Sequence, residues 1–211
     1  MADDAVDTRT LILEAARRRL LADGYAGLST RKVAEEAGVP LGLLGYYFSK
    51  GRLILALVED ENQRRLERQM RMYAEDAPLW QRYEQACDFL EDDLDSGYVR
   101  VLQEMIAAGW SNAEVRDAVR ELLGGWYGLL AEVAREAERR HGPLGPFTAE
   151  EVATLIGTTF VGAEALLLLG FDRDVLPIRS ALRRIGVLIR DLEEGRPQPG
   201  RANGAGMPAV T

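Results

Sequence analysis

The sequence predicts an all-α protein, a small three-helix head followed by a larger helical body, on three observations. Apolar residues recur at the 3.6-residue spacing in every long segment, no segment reads as a strand, and helix start and stop signals punctuate the chain where the periodicity breaks. A hydrophobic content of 47% in 211 residues is ample for a buried core.

The first helix is predicted over Thr8 to Ala22, with Leu11, Ile12, Ala15, Ala16 and Leu20 on one face and Gly24 placed to end it. Ser29 is an N-cap for a short helix from Thr30 to Ala37, Gly38 breaks it, and Pro40 opens another that runs through Phe48. A long helix from Gly51 to Tyr73 leaves this unit, with Arg64, Arg65, Arg68 and Arg71 in its far half. Five further helices are expected over Leu79–Leu94, Tyr98–Ala108, Ala113–Arg140, Thr148–Leu169 and Val175–Glu194. Thr148 and Glu151 form a capping box with Phe147 as a staple, and the Gly/Pro-rich loop from Gly142 to Pro146 separates that helix from the one before. After Gly195 the chain turns to Gly, Pro, Ala and Asn, which bury too little surface to offset ordering entropy. The expected division is a head over 1–50, a body over 51–195 and a disordered tail over 196–211.

Composition excludes several classes. With one cysteine, Cys87, and one histidine, His141, the chain forms no internal disulfide and assembles no Cys/His zinc set, and no cofactor is expected. Met1 to Asp7 is acidic and lacks the apolar region of a leader, and the longest apolar run, Leu166 to Leu169, is far shorter than a bilayer span. The expectation is a soluble cytoplasmic protein with no membrane partner. No P-loop, dinucleotide fingerprint or Ser/His/Asp set is present, so no enzyme is expected. Glu91, Asp92, Asp93 and Asp95 are too consecutive on a helix to converge on one cation and read as a solvated acidic face. Arg17, Arg18 and Arg19 read as a solvated basic face and His141 as an exposed turn residue. The net charge of −8 opposes nucleic-acid binding, yet Thr8 to Arg52 holds eight cations against four carboxylates. The basic charge is concentrated in the head.

Thr30 to Phe48 has what a helix-turn-helix needs. Ala34 permits a close helix crossing, Gly38 forms the turn, and Val33, Ala37, Val39, Leu44 and Tyr47 make an inward apolar set. With its flanks, the run Gly24, Tyr25, Leu28, Ser29, Thr30, Arg31, Lys32, Val33, Ala34, Gly38, Val39, Tyr46, Tyr47, Phe48, Ser49, Lys50 resembles the tetracycline-repressor (TetR) family of bacterial regulators. The resemblance covers about the first quarter of the chain. It implies a three-helix DNA-binding head on a ligand-binding and dimerising body, usually a repressor released from its operator by a small molecule.

Carried over by position, the resemblance places Thr30 and Arg31 near the DNA backbone and base edges; the planar Arg31 fork suits guanine or phosphate. Leu41, Gly42, Leu43 and Gly45 fall on the exposed face of the recognition helix, Tyr46 and Tyr47 on phosphate-reaching positions, and Lys50 on the lysine that clamps the backbone at the start of the fourth helix. The chain departs from the family pattern twice: Phe48 directly abuts Ser49, which displaces Lys50, and Gly45 replaces the usual aromatic or polar reader. The recognition helix is left almost without hydrogen-bond donors, so Leu41 and Leu43 offer apolar contacts to thymine methyls, and specificity falls to Arg31 and DNA shape.

In the body, Tyr83, Cys87, Met105, Trp110, Trp126 and Tyr127 are candidates to line a ligand cavity, with ordinary core packing as the alternative for each. Glu104 and Glu164 interrupt apolar runs and are candidates for a polar anchor in the pocket or a dimer-interface pair, an arginine partner within the fold being the simpler account. The last two long helices carry an apolar stripe of Leu155, Ile156, Phe160, Ala163, Leu167, Leu182, Ile185 and Ile189, with Gly157, Gly162 and Ala163 allowing close approach. The resemblance implies that these helices form the interface of a homodimer that reads a pseudo-palindromic operator in double-stranded DNA. The competing class is a helical protein-interaction module with degenerate DNA binding.

Overall fold

The computed structural model describes residues 2–48, 50–171 and 175–195, with the side chains of 2–7, 25, 26, 50, 58 and 61 outside the described set. The expected tail over 196–211 lies outside the described residues. All described secondary structure longer than a turn is helical: α1 (Ala2–Gly27), α2 (Thr30–Ala37), α3 (Leu41–Tyr47), α4 (Lys50–Tyr73), α5 (Leu79–Asp95), α6 (Tyr98–Gly109), α7 (Ala113–His141), α8 (Ala149–Leu168) and α9 (Ile178–Glu193).

The expected segments all appear, and the differences lie at their ends. α1 begins at Ala2, six residues before Thr8, and is interrupted at Gly24 (φ 68°, ψ 176°), where the sequence places its stop. Ser29 caps α2 by accepting from Lys32 N, and Thr148 and Glu151 form the reciprocal capping box of α8. α9 starts at Ile178 instead of Val175, because Pro177 stands at its N-cap and a residue preceding proline is pushed out of helical backbone. The N-terminus of α5 has Pro78 as its cap, which offers no side-chain acceptor. Glu193, 114 residues away at the end of α9, fills that role with Oε1 accepting from Leu79 N (2.8 Å) and Oε2 from Trp80 N (3.0 Å).

Among the described residues, three apolar clusters hold the fold together. The first packs Ile12, Ala16 and Leu20 of α1 with Val33 of α2, Leu44 of α3 and Leu53, Ile54 and Leu57 of α4, and continues into α6 and α7 through Leu102, Met105, Val115 and Leu122. The head therefore shares its core with the body. A second joins α5 (Tyr83, Cys87, Leu90) to Val99, to Phe160 and Ala163 of α8 and to Leu182 of α9. The third closes the far end of α4, with Met72 and Tyr73 against Ala86, Leu130, Ala131 and Ala153. Head and body also meet at the α5–α6 turn. A Cβ on Gly97 (φ 78°) would come within 2.7 Å of the Leu21 side chain, so only glycine permits that approach.

The expected dimer stripe is mostly an internal face. Phe160, Ala163 and Leu182 are buried within the chain, and Ile156, Leu167, Ile185 and Ile189 pack against the same clusters. Gly157 serves α7–α8 packing, since a Cβ there would lie 2.2 Å from the Tyr127 ring. The outward apolar face keeps Leu155 of that stripe and adds Leu168, Val187, Leu188 and Leu192, with Gly162 open beside it. Apolar on both faces, α8 contains an 18-residue window of mean hydropathy 1.5 and is long enough, by length and composition alone, to cross a bilayer. The longest uninterrupted run does not reveal this, because the sequence spreads its apolar residues among threonines and glycines. Those threonines turn their hydroxyls back onto the helix, as Thr158 Oγ1 does to the Thr154 carbonyl at 2.7 Å.

Candidate nucleic-acid interface and ligand cavity

The first candidate site is built by the turn between α2 and α3. Gly38 takes the left-handed conformation (φ 67°, ψ 27°) that ends α2, and Val39 N donates to the Ala34 carbonyl at 3.0 Å. Pro40 then opens α3, its carbonyl accepting from Leu43 N and Leu44 N. Leu44 is the one fully buried residue of α3, and Val33 and Ala34 receive it, with Ala37, Val39 and Tyr47 packed alongside as the sequence predicts. That single anchor turns Leu41, Gly42, Leu43, Gly45 and Tyr46 outward on a seven-residue helix. No atom lies within 4 Å of a Cβ built on Gly42 or Gly45.

Tyr46 is 84% exposed and meets the half-buried Tyr47 edge to face, ring centroids 5.5 Å apart. Thr30 starts α2, and the exposed Arg31 side chain makes a surface pair with Glu35 at 3.2 Å. The Lys50 side chain and Ser49 lie outside the described residues. The Arg17–Arg19 run is more engaged than a solvated face would be. Arg17 Nη2 donates to the Ser96 carbonyl (2.6 Å), Arg18 pairs with Glu36 (2.8 Å) and Arg19 with Asp23. Lys32 joins Asp23 at 2.9 Å, and these two cations hold the Asp23 carboxyl below its usual range.

The second candidate site is a cavity inside the body with a volume of about 70 Å³ and an opening to solvent. One face of α4 lines it through Asn62, Arg65, Leu66, Gln69 and Tyr73, residues that share a side at helical spacing. Leu102, Leu122, Leu130 and Ile156 supply apolar walls, and Trp126 and Phe160 meet edge to face at 6.2 Å. Of the residues expected to line a pocket, Trp126 and Glu164 do so. Tyr127 lies against Gly157 beside them, Tyr83 and Cys87 belong to the α5–α8–α9 core, and Met105 is fully buried in the core shared with the head. Trp110 is 81% exposed, and Glu104 sits over Gly24 at the head. Burial pushes the Cys87 thiol up to about 11, leaving it protonated and inert.

The polar residues of this cavity follow a different logic from the one expected. Glu164 is buried, and its partner is the neutral Gln103, whose Nε2 donates to Oε2 at 3.2 Å and to the Val161 carbonyl at 3.3 Å. Among the described residues no arginine pairs with it. Burial pushes its carboxyl up to about 7, opposed by the Gln103 hydrogen bond and reinforced by the negative Asp93. The acidic run of α5 is also split up by its partners. Asp93 is clamped by Arg65 (3.1 Å) and Arg68 (2.7 Å), and Glu91 binds Arg179 of α9 at 2.8 Å. Arg65 and Arg68 lie over the rings of Tyr98 (3.7 Å) and Phe89 (4.1 Å). His141, read as an exposed turn residue, is exposed and ends α7 with Nε2 3.6 Å from Glu193. Asn62, Arg65 and Gln69 were not anticipated as pocket residues, although their spacing of three and four on one helix was visible.

A buried-anchor helix-turn-helix is thus joined through one long helix to an all-helical body that holds a cavity. Residues 12–57 match the family model for bacterial regulatory proteins, tetR family. Over those residues the chain is similar to the tetR family of bacterial regulatory proteins; beyond them its likeness to solved structures is one of fold. A TetR transcription regulator from Haloarcula marismortui superposes with a TM-score of 0.73 at 20% identity, covering 88% of this chain and 97% of that one. FadR from Bacillus subtilis, solved in complex with stearoyl-CoA, superposes with a TM-score of 0.69 at 20% identity over 84% and 97% of the two chains. A regulator from Saccharomonospora viridis in complex with choline gives 0.71 at 21% identity over 90% and 97%. No curated protein matches the sequence.

Proposed function

We propose that the chain is a homodimeric repressor that acts in the cytoplasm and leaves its operator when a small molecule enters the body cavity. The observation that carries this reading is the double use of α4. Its N-terminal half packs into the head through Leu53, Ile54 and Leu57, and its far half lines the cavity through Asn62, Arg65 and Gln69. One rigid element thus touches both sites.

In this reading Leu41, Gly42, Leu43 and Gly45 face the major groove, with Thr30 and Arg31 at its edge and Tyr46, Tyr47 and Lys50 toward phosphates. Support comes from the outward face of α3 and from Arg31, whose exposed pair with Glu35 is weak enough to exchange for DNA. Two heads are brought together by the outward leucines of α8 and α9, which a monomer leaves in water. A second link between cavity and head runs through the α5–α6 turn. Arg65 binds Asp93 and Ser96 Oγ (3.3 Å), Arg17 of α1 binds the Ser96 carbonyl, and Leu21 rests on Gly97. An effector that moves Arg65 shifts α4 and this turn together and changes the separation of the heads. Because coupling is reciprocal, operator DNA weakens effector binding by the same factor. Fold relatives that bind stearoyl-CoA and choline support a ligand role for the body and leave the ligand class open.

The test is selection of bound duplexes from a random pool, then titration of the winning site at several salt concentrations. A palindrome is expected, with steep salt dependence and an Arg31→Ala loss of about 1–3 kcal/mol. Failure to enrich any sequence would overturn the reading.

A further inference from the structure

The cavity contains both signs of charge, but they are not equally committed. Its arginine, Arg65, is held by Asp93 and Ser96 and lies 3.7 Å over the Tyr98 ring, and the neighbouring Arg68 is spent on the same carboxylate. Glu164 differs. It lines the cavity, is nine-tenths buried, and receives one hydrogen bond from a neutral amide on one oxygen. A buried carboxylate without a cation is costly, and completing it with a positive ligand recovers that cost. The aromatic edges and faces of Trp126 and Phe160 and the leucines of α6 and α7 surround the same space, a lining suited to an apolar body and attractive to cations.

We infer that the effector is an amphiphilic organic cation, its ammonium taken by the Glu164 carboxylate at the α6–α8 wall and its apolar body held between Trp126, Phe160 and the leucines. This rests on the reading of the body as the effector domain. The groups around Glu164 are Asp93 of α5 and Arg65 of α4, already paired, Tyr98 of α6, and Tyr127 of α7, whose hydroxyl is itself held protonated by burial and by Glu164. Asp93, Arg65 and Arg68 are committed to one another, so Glu164 is the group whose charge the ligand meets.

The experiment uses the full chain and three probes with one apolar body: phenylbutylamine, phenylbutanol and phenylbutyrate. Calorimetry at about pH 8, where Glu164 is ionised and the amine protonated, is expected to show the amine binding about ten-fold or more tighter than the alcohol, with the carboxylate weakest. Glu164→Gln, which keeps the shape, should abolish that preference and leave the alcohol unchanged. Absence of amine binding, an amine no tighter than the alcohol, or a preference that survives Glu164→Gln overturns the inference. The same probes titrated into the operator complex separate the two readings. Release by the alcohol or carboxylate, without preference for the amine, overturns the cation and keeps the regulator. Amine binding in calorimetry that leaves operator affinity unchanged supports the cation and removes effector control.

Discussion

Glu164 carries a carboxyl that its surroundings displace to near neutral pH, and the displacement has a thermodynamic consequence. Its carboxyl is raised from 4.5 to about 7, so between those values the folded chain holds a proton that the unfolded chain has released. Stability therefore falls as pH rises through that window, by an amount on the order of 3 kcal/mol if the whole shift is expressed. Glu164→Gln retains a side chain that Gln103 can bond and has nothing to titrate. The difference in unfolding free energy between the variant and wild type, measured by urea titration, should favour the variant increasingly from pH 5 to pH 8. A constant difference across that range would show that Glu164 is not held neutral. The sequence marked Glu164 as unusual because it interrupts an apolar helix; it did not show that the neighbour would be an amide, since Gln103 approaches from a helix 61 residues away.

At the scale of elements, the α2–α3 unit joins opposite demands on glycine. Gly38 sits in left-handed backbone at the turn, so Gly38→Ala should destabilise the chain by about 1–2 kcal/mol. Gly45 is in helical backbone with open space around it, and Gly45→Ala should stabilise by about 0.5–1 kcal/mol. If α3 lies in the major groove, the added methyl of Gly45→Ala nevertheless alters operator affinity. Thermal melts and gel shifts on the two variants check both statements; a Gly45→Ala protein that is more stable and binds the selected operator unchanged would place α3 away from the groove. These elements were legible in the sequence because caps and breakers act within four residues, as Ser29, Gly38 and Thr148 do. The start of α9 and the cap of α5 were less so. Pro177 is a local signal outweighed by the apolar periodicity on either side, and Glu193 reaches α5 only after the chain has folded back on itself.

For the whole molecule, the proposed homodimer rests on the exposed apolar face of α8 and α9. Leu188 is 54% exposed and Leu192 58%, so a charge there disturbs little within the chain. Leu188→Glu is expected to yield a monomer by analytical ultracentrifugation with its helical circular dichroism retained, and to lose tight binding to a palindrome while keeping weak binding to a half-site. A variant that stays dimeric would move the interface elsewhere.

By itself the sequence determined the helical class, the order and approximate bounds of the helices, the helix-turn-helix and its inward set, because those depend on local periodicity, capping and steric limits on backbone. The tertiary structure decided which apolar stripe of α8 and α9 is core and which faces outward. It also decided that Tyr83, Cys87 and Met105 pack as core while Asn62, Arg65 and Gln69 line the cavity. It showed that Glu164 meets an amide and Asp93 two arginines. Which face of a helix is buried, and which charge finds which partner, are set by the rotation and crossing of helices far apart in the chain, and a helix apolar on both sides carries no local record of that choice.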